Sequence, residues 1–363
     1  DQDCRAHLRQ SYTKLNKRHI WEVSRAGSLK RLRLREDDMP APGPGQVLVA
    51  SRASGLNFAD IFATLGLYSA TPEGAFIPGL EFCGEVVATG ENAKKFRAKQ
   101  KVMGVTRFGG YASHICVDER ALLPLPAGWT FAEGAALLAQ GLTAYYALFE
   151  LGALKKNGLV LVHSAAGGVG LLALAMIEKM GGSVIATVGS ASKVALLKER
   201  CHLHEKEIIV RARTSSAFRT QLDEALRAVG RTGFDLVLDS VMGPYFWPGY
   251  QALEGAGRLI LFGAADWMPA SSKPNYAKLA WSYLKRPRLD PLAMISENKS
   301  LMAFNLIWLW NRIDDLEPMA RAMLGMGLRA PYVGHTFPFE QAPEAMRLFQ
   351  SGRTSGKVIL QID

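Results

Sequence analysis

The sequence predicts an α/β protein in which a mostly β domain is interrupted by a doubly wound parallel-sheet domain. Three observations predict it. Strand-like and helical segments alternate from residue 159 to residue 262, which argues for a parallel sheet covered on both faces. The segments on either side are strand-like and punctuated by glycine. A glycine loop, Ser164-Ala-Ala-Gly-Gly-Val-Gly170, joins the first strand to the first helix of the alternating region.

In chain order, residues 1–19 read as a polar basic arm. Pro40 to Gly45 is a turn cluster, and Val47 to Val49 opens the first clear strand. Gly84 to Ala88, Lys101 to Val105 and Tyr111 to Val117 continue the β text. Ala132 to Leu151 is Ala/Leu-rich and helical. Leu159 to His163 is a buried strand. The helix Val169 to Met180 carries Val169, Leu172, Ala173, Met176, Ile177 and Met180 on one face and stops at Gly181-Gly182. Ser183 to Val188, Ile208 to Val210, Phe234 to Asp239 and Arg258 to Phe262 are the further strands. Pro287 to Ile295 reads as strand-like and is expected to flank an exposed sheet edge. Tyr332 to Phe337 and Lys357 to Gln361 are strands around the helix Pro343 to Gln350. The domains are therefore expected at 20–134 with 287–363, and at 135–286.

A length of 363 residues suits two domains, and 48% hydrophobic with 21% charged residues allows a large core and excludes global disorder. The apolar run Leu301 to Trp310 contains Asn305 and falls short of the ~20 residues of a membrane-spanning helix. The net charge of +10 is concentrated at the start, where residues 1–35 hold ten Lys/Arg and three Asp/Glu. The rest is nearly neutral, so the charge does not indicate a nucleic-acid groove, and no basic run is interleaved with aromatics. The basic head reads as a solvated arm. Contact with RNA, an anionic membrane surface or a protein partner through residues 1–35 is the alternative. Cys4, Cys83, Cys116 and Cys201 form no CxxC pair, and none stands near a histidine at zinc-ligand spacing. They read as reduced thiols in the cytoplasm. A mitochondrial or plastid interior is the alternative, because Arg5 to Arg18 is acid-poor, as the region after a transit peptide is.

In the glycine loop, Ala165 takes the place of the first glycine of a G-x-G-x-x-G dinucleotide fingerprint, and Gly167 and Gly170 hold the other two. Ala166 and Gly167 let the backbone approach a pyrophosphate, and the N–H groups near Gly168 and Val169 face it at the helix start. A plain strand–helix turn is the bland alternative. The next strand ends Thr187-Val-Gly-Ser190 without the acid that reads a ribose hydroxyl, and Lys193 follows. A missing acid with a nearby cation favours NADPH over NADH, with an ordinary surface lysine as the other reading. Ligands of doubly wound sheets bind outside the carboxyl ends of the strands. That makes Gly189, Ser190, Ser240, Val241, Phe262 and Gly263 further cofactor-binding candidates.

These motifs together identify a resemblance to the zinc-free quinone oxidoreductase branch of the medium-chain dehydrogenase/reductase superfamily. The similarity runs from about Arg31 to Ile362 and is greatest to its vesicle amine transport protein 1-like group. It is carried by Pro42-Gly-Pro-Gly-Gln46, Gly55-Leu-Asn-Phe-Ala-Asp60, Gly66-Leu-Tyr68, Pro78-Gly-Leu-Glu-Phe82, Gln140-Gly-Leu-Thr-Ala-Tyr-Tyr146, the loop Ala165 to Gly170, and Ser355-Gly-Lys357.

The resemblance implies a GroES-like catalytic domain around a Rossmann domain, and hydride transfer from NADPH to a quinone or an α,β-unsaturated carbonyl. It implies nicotinamide and ribose contact at Asn57, cofactor contacts at Thr143 and Lys357, and a substrate-side donor at Tyr68. Gln140, one turn before Thr143, is expected to share its face. Zinc-using relatives carry a cysteine at the position of Asn57 and a histidine at that of Leu80, so no metal is expected. Phe62 replaces a second tyrosine, and Arg213 is expected to stand in for a tyrosine near the adenine. A homodimer is implied by pairing of sheet edges. A non-catalytic NADPH-binding scaffold or assembly subunit of the same fold is the competing reading, and an RNA- or membrane-surface-binding protein with a vestigial pocket a third.

Overall fold

The computed structural model describes residues 17–363. The chain first lays down β1 (Lys17–Val23), β2 (Leu32–Asp38), β3 (Gln46–Gly55), β4 (Glu81–Thr89), β5 (Lys101–Val105), β6 (His114–Asp118) and β7 (Leu122–Pro124). It then forms β8 (Leu159–Val162), β9 (Ser183–Val188), β10 (Ile208–Val210), β11 (Phe234–Asp239), β12 (Leu253–Leu261) and β13 (Ser300–Ala303), and ends with β14 (Val333–Pro338) and β15 (Lys357–Gln361).

β8 to β13 form one parallel sheet in the order β10-β9-β8-β11-β12-β13. β8 is Leu-Val-Leu-Val and wholly buried, as a strand covered on both faces must be. The helix Gly168–Lys179 covers one face through Leu172, Ala173, Met176 and Ile177, and the helix Ser215–Ala228 covers the other through Phe218, Leu222 and Leu226. The order reverses between β8 and β11, which opens a crevice at their carboxyl ends. This is the Rossmann domain.

The second sheet runs β14-β15-β3-β4-β5-β7, with β6 also paired to β3. It is the GroES-like domain, and β15, from the end of the chain, is inserted between β14 and β3. The hairpin β1-β2 packs on it through Trp21, whose indole N–H donates to the Phe339 carbonyl at 2.8 Å.

The structure departs from the sequence reading in four respects. Lys17 to His19 belong to β1, so only residues 1–16 of the expected arm lie outside the described residues. Part of the basic character of the head is paired locally: Arg18 meets Asp37, Arg35 meets Glu22 and Asp37, and Lys17 meets Asp38. A charge count stopping at residue 35 misses two of these partners. Pro287 to Ile295 is not a strand. Asp290 caps a helix, Pro291–Glu297, by accepting from the Leu292 N–H at 3.0 Å, with proline at its first position. The parallel sheet also runs past residue 286, because β13 pairs with β12.

Candidate active site cleft

A cleft of about 900 Å³ lies between the two domains, at the carboxyl ends of β8, β9, β11 and β12. Its Rossmann wall starts with the glycine loop. Ser164 turns the chain at φ +52, and Gly167 precedes the helix as its N-cap. A Cβ on Gly170 would stand 2.6 Å from the Ala165 Cα, so the missing side chain is what lets helix and loop pack together. The Gln140 amide lies against Gly168 in the same way. At Gly167 a Cβ would meet only the Ser164 carbonyl, at 3.2 Å, and its side of the loop is otherwise open. The loop is tied to the other domain by the Gly356 N–H, which donates to the Ala166 carbonyl at 2.8 Å.

Most residues expected at the site do line this cleft: Asn57, Tyr68, Gln140, Thr143, Ala166 to Val169, Gly189, Lys193, Ser240, Val241, Phe262 and Gly263. Ser190 instead caps the short turn that carries Lys193, its hydroxyl accepting from the Ser192 N–H at 3.2 Å. Lys193 Nζ donates across the cleft to the Gly352 carbonyl at 2.7 Å. Thr143 spends its hydroxyl on the Ala139 carbonyl, at 2.7 Å.

Arg213 and Lys357 do not line the cleft. Arg213 is exposed, because the chain turns outward towards the Thr214 cap of the next helix. Arg211, one residue past β10, takes the inward place. Lys357 is wholly buried behind Asn57, on the far side from the cleft. Its ammonium pairs with Glu81, itself 1% exposed, and donates to Asn57 Oδ1 at 2.9 Å. Asn57 Nδ2 donates to Glu81 Oε1 at 3.1 Å and to the Gly55 carbonyl at 3.3 Å. The other Glu81 oxygen accepts from the Ala139 N–H at 3.1 Å. Asn57 is thus held by its amide from behind.

Beside this cluster Asp60 is buried, and burial raises its carboxyl to about 7 against the hydrogen bonds it accepts from the Asn57 N–H and the Tyr111 hydroxyl. Tyr68 donates to Asn305 Oδ1 at 2.7 Å, and burial pushes its hydroxyl up to about 12. Among the described residues, no group of three or more His, Cys, Asp or Glu side chains is placed to hold a metal ion.

Among the described residues, two polar atoms of cleft-lining side chains are buried without a partner, Arg211 Nε and Ser240 Oγ, while the unpartnered His163 Nε2 faces Gly249 in the core. Buried polar groups are almost always satisfied. The place of Arg211 Nε and Ser240 Oγ at the ends of β10 and β11, beside a loop that approaches without side chains, fits a polar dinucleotide. Arg211, His163 and Asn305 are the residues that sequence reasoning missed. The available signal was Arg211 directly following a three-residue strand; nothing local marks the other two.

The buried pair gives a first prediction. Lys357→Met leaves Glu81 charged and unpaired, which should cost about 3–5 kcal/mol in a denaturant titration. Lys357→Met combined with Glu81→Gln should recover most of that loss, because no lone buried charge remains. Additive losses in the double variant would contradict the pairing.

Comparison with known proteins accords with this architecture. The alcohol dehydrogenase GroES-like domain family matches residues 43–127, and the zinc-binding dehydrogenase family matches residues 203–360. The synaptic vesicle membrane protein VAT-1 homolog of Rattus norvegicus is 32% identical over 324 residues, 88% of this chain and 78% of that protein. A mycobacterial protein solved in complex with NADPH superposes with a TM-score of 0.80 at 27% identity, covering 94% of this chain and 99% of that one. A quinone oxidoreductase of Pseudomonas syringae pv. tomato superposes with a TM-score of 0.77 at 26% identity, covering 95% and 99%. With its sheet order, its glycine loop and a relative of this identity across most of both chains, the protein belongs to the VAT-1-like group of the medium-chain dehydrogenase/reductase superfamily.

Proposed function

We propose that this oxidoreductase reduces quinones or α,β-unsaturated carbonyls with NADPH and without a metal ion. The observation that carries the reading is the two-sided character of the cleft. One half is the glycine loop with its unpartnered polar atoms. The other half is apolar, lined by Phe58, Phe62, Phe304 and Trp310, with the Tyr68 hydroxyl among them. The neighbours crystallised with NADPH or named as quinone oxidoreductases support the same assignment.

NADPH, when bound, supplies a hydride. The chain's part is to bind, orient and stabilise charge. The backbone N–H groups at Gly168 and Val169, at the helix start, would hold the phosphates, and the unpartnered Ser240 hydroxyl would meet the cofactor's polar groups. Asn57, fixed from behind by Lys357 and Glu81, presents a rigid wall at the domain boundary. The apolar half excludes water from the reacting faces. With its pKa raised, Tyr68 keeps its proton at neutral pH and acts as a hydrogen-bond donor to a carbonyl oxygen, releasing Asn305 as it does so. Solvent supplies the proton that completes reduction. Metal independence is supported by the Lys357 ammonium, which already neutralises Glu81, the carboxylate bonded to the Asn57 side-chain amide.

Steady-state NADPH oxidation against a panel of quinones and enones tests the proposal. Tyr68→Phe should lower kcat/KM about 10- to 100-fold with NADPH affinity unchanged. Gly167→Val should abolish NADPH binding while the melting temperature holds, since the loop has room for the side chain only where the cofactor approaches. NADPH binding without turnover of any acceptor would favour the non-catalytic scaffold. Stoichiometric zinc that tracks activity would overturn the metal-free reading.

We also propose a homodimer. β13 is an edge strand, and the helices Tyr276–Leu284 and Pro291–Glu297 that lead into it bury none of their residues. They expose Tyr276, Trp281, Tyr283, Leu284, Leu292 and Ile295, large apolar side chains that a second subunit would cover. Light scattering should give twice the chain mass, and Leu292→Glu with Ile295→Glu should halve it. A wild-type monomer at micromolar concentration would count against it.

A further inference from the structure

The adenosine end of the cleft holds two cations, and they are not equivalent. The inference here rests on the NADPH reading above. Lys193 is already engaged: its ammonium donates to the Gly352 carbonyl at 2.7 Å and so joins the Rossmann domain to the loop before β15. Arg211 is held but not used up. Its backbone N–H donates to the Val188 carbonyl at 2.9 Å, which continues the parallel pairing of β9 and β10 by one residue and aims the side chain into the cleft.

The guanidinium is then held through Nη1 and by the Tyr245 side chain. Nη1 donates to Thr187 Oγ1 at 2.9 Å, and that hydroxyl also meets His163 Nδ1 at 3.1 Å. The Tyr245 ring lies 5.0 Å from Cζ and sets the plane of the group. Nε is buried without a partner, and Nη2 lies beside Gly189, 3.4 Å from where a Cβ there would stand. The free edge is therefore the Nε–Nη2 edge, one with which arginine grips a phosphate two-pronged, and it lies at the end of β9, where the adenosine ribose of a dinucleotide is read. Glycine at 189 leaves that approach clear. The nearby Asp239 carboxylate spends one oxygen on the Val241 and Met242 N–H groups, each at 2.8 Å, and its other oxygen, buried and unpartnered, makes no hydrogen bond to Arg211.

We propose that Arg211 reads the 2′-phosphate of NADPH by its Nε–Nη2 edge, and that Lys193 serves mainly the contact between domains. The cofactor preference then depends on the residue after β10, not on the lysine in the turn after β9.

Calorimetric titration of NADPH, NADH and 2′,5′-ADP into the full chain tests this, with inorganic phosphate as a further arm. Arg211→Gln should weaken NADPH and 2′,5′-ADP about 10- to 100-fold and NADH less than about threefold. Unchanged NADH binding also reports an intact cleft. Arg211→Lys should recover only part of the loss, because an ammonium has no planar edge. Lys193→Gln should weaken NADPH less than Arg211→Gln does. Inorganic phosphate should compete with 2′,5′-ADP in the wild type and not in Arg211→Gln. Equal losses for NADPH and NADH, or a larger loss from Lys193→Gln, would overturn the inference while leaving the NADPH reading intact. A wild type that binds none of the three nucleotides would overturn both.

Discussion

An ion pair with no access to water, Lys357 with Glu81, fixes the relation between the domains and the cleft. Two charges taken out of water cost several kcal/mol each unless their remaining donors and acceptors are used. Here they are used on parts of the chain that have to meet. Glu81 opens β4 and accepts from Ala139, at the start of the helix that carries Gln140 and Thr143 to the cleft. Lys357 opens β15 and donates to Asn57, at the end of the loop after β3. The lysine stem needs room, and Gly55 provides it: a Cβ there would stand 2.5 Å from the Lys357 Cε. The cluster joins residues 55, 57, 81, 139 and 357 into one rigid corner behind the cofactor cleft.

The remaining contacts between domains follow from this corner. Gly356, one residue before Lys357, hydrogen-bonds the glycine loop. Gly352, a little earlier, receives Lys193. The segment from 350 to 357 thus spans the cleft from its adenosine end to its inner wall. A change in the angle between the domains would be felt along this one segment.

Much of the fold was legible in the sequence because its signals are local. The alternation of strands and helices, the stop at Gly181-Gly182 and the glycine loop all lie within windows of about a dozen residues, and β8 to β12 fall within a few residues of where periodicity puts them. The site was legible where strand ends position it. It was not legible where a partner is distant. Lys357 reads as a cofactor contact at a strand start, and nothing near it announces Glu81, 276 positions away. Choosing Arg213 over Arg211 was a question of where a three-residue strand ends, which composition does not resolve. The helix Pro291–Glu297 is a different kind of miss. Asp290-Pro291 is a helix-start signal, and it was outweighed by apolar residues that read as a sheet edge.

The insertion of β15 between β14 and β3 also bears on how the chain is made. The Rossmann sheet is complete once residue 303 has emerged, since its six strands are contiguous in the chain. The GroES-like sheet is not. The end of β3, at Ser54 and Gly55, pairs with Leu360 and Ile359, so its edge waits until those two residues, about 300 positions on, have been synthesised. At roughly 5–20 residues per second, that leaves an unpaired strand edge, and Glu81 without its cation, for about 15–60 s on the ribosome. A newly made chain is therefore most exposed to mispairing and to chaperone capture in the earlier of these two domains, while the Rossmann sheet made after it is already closed.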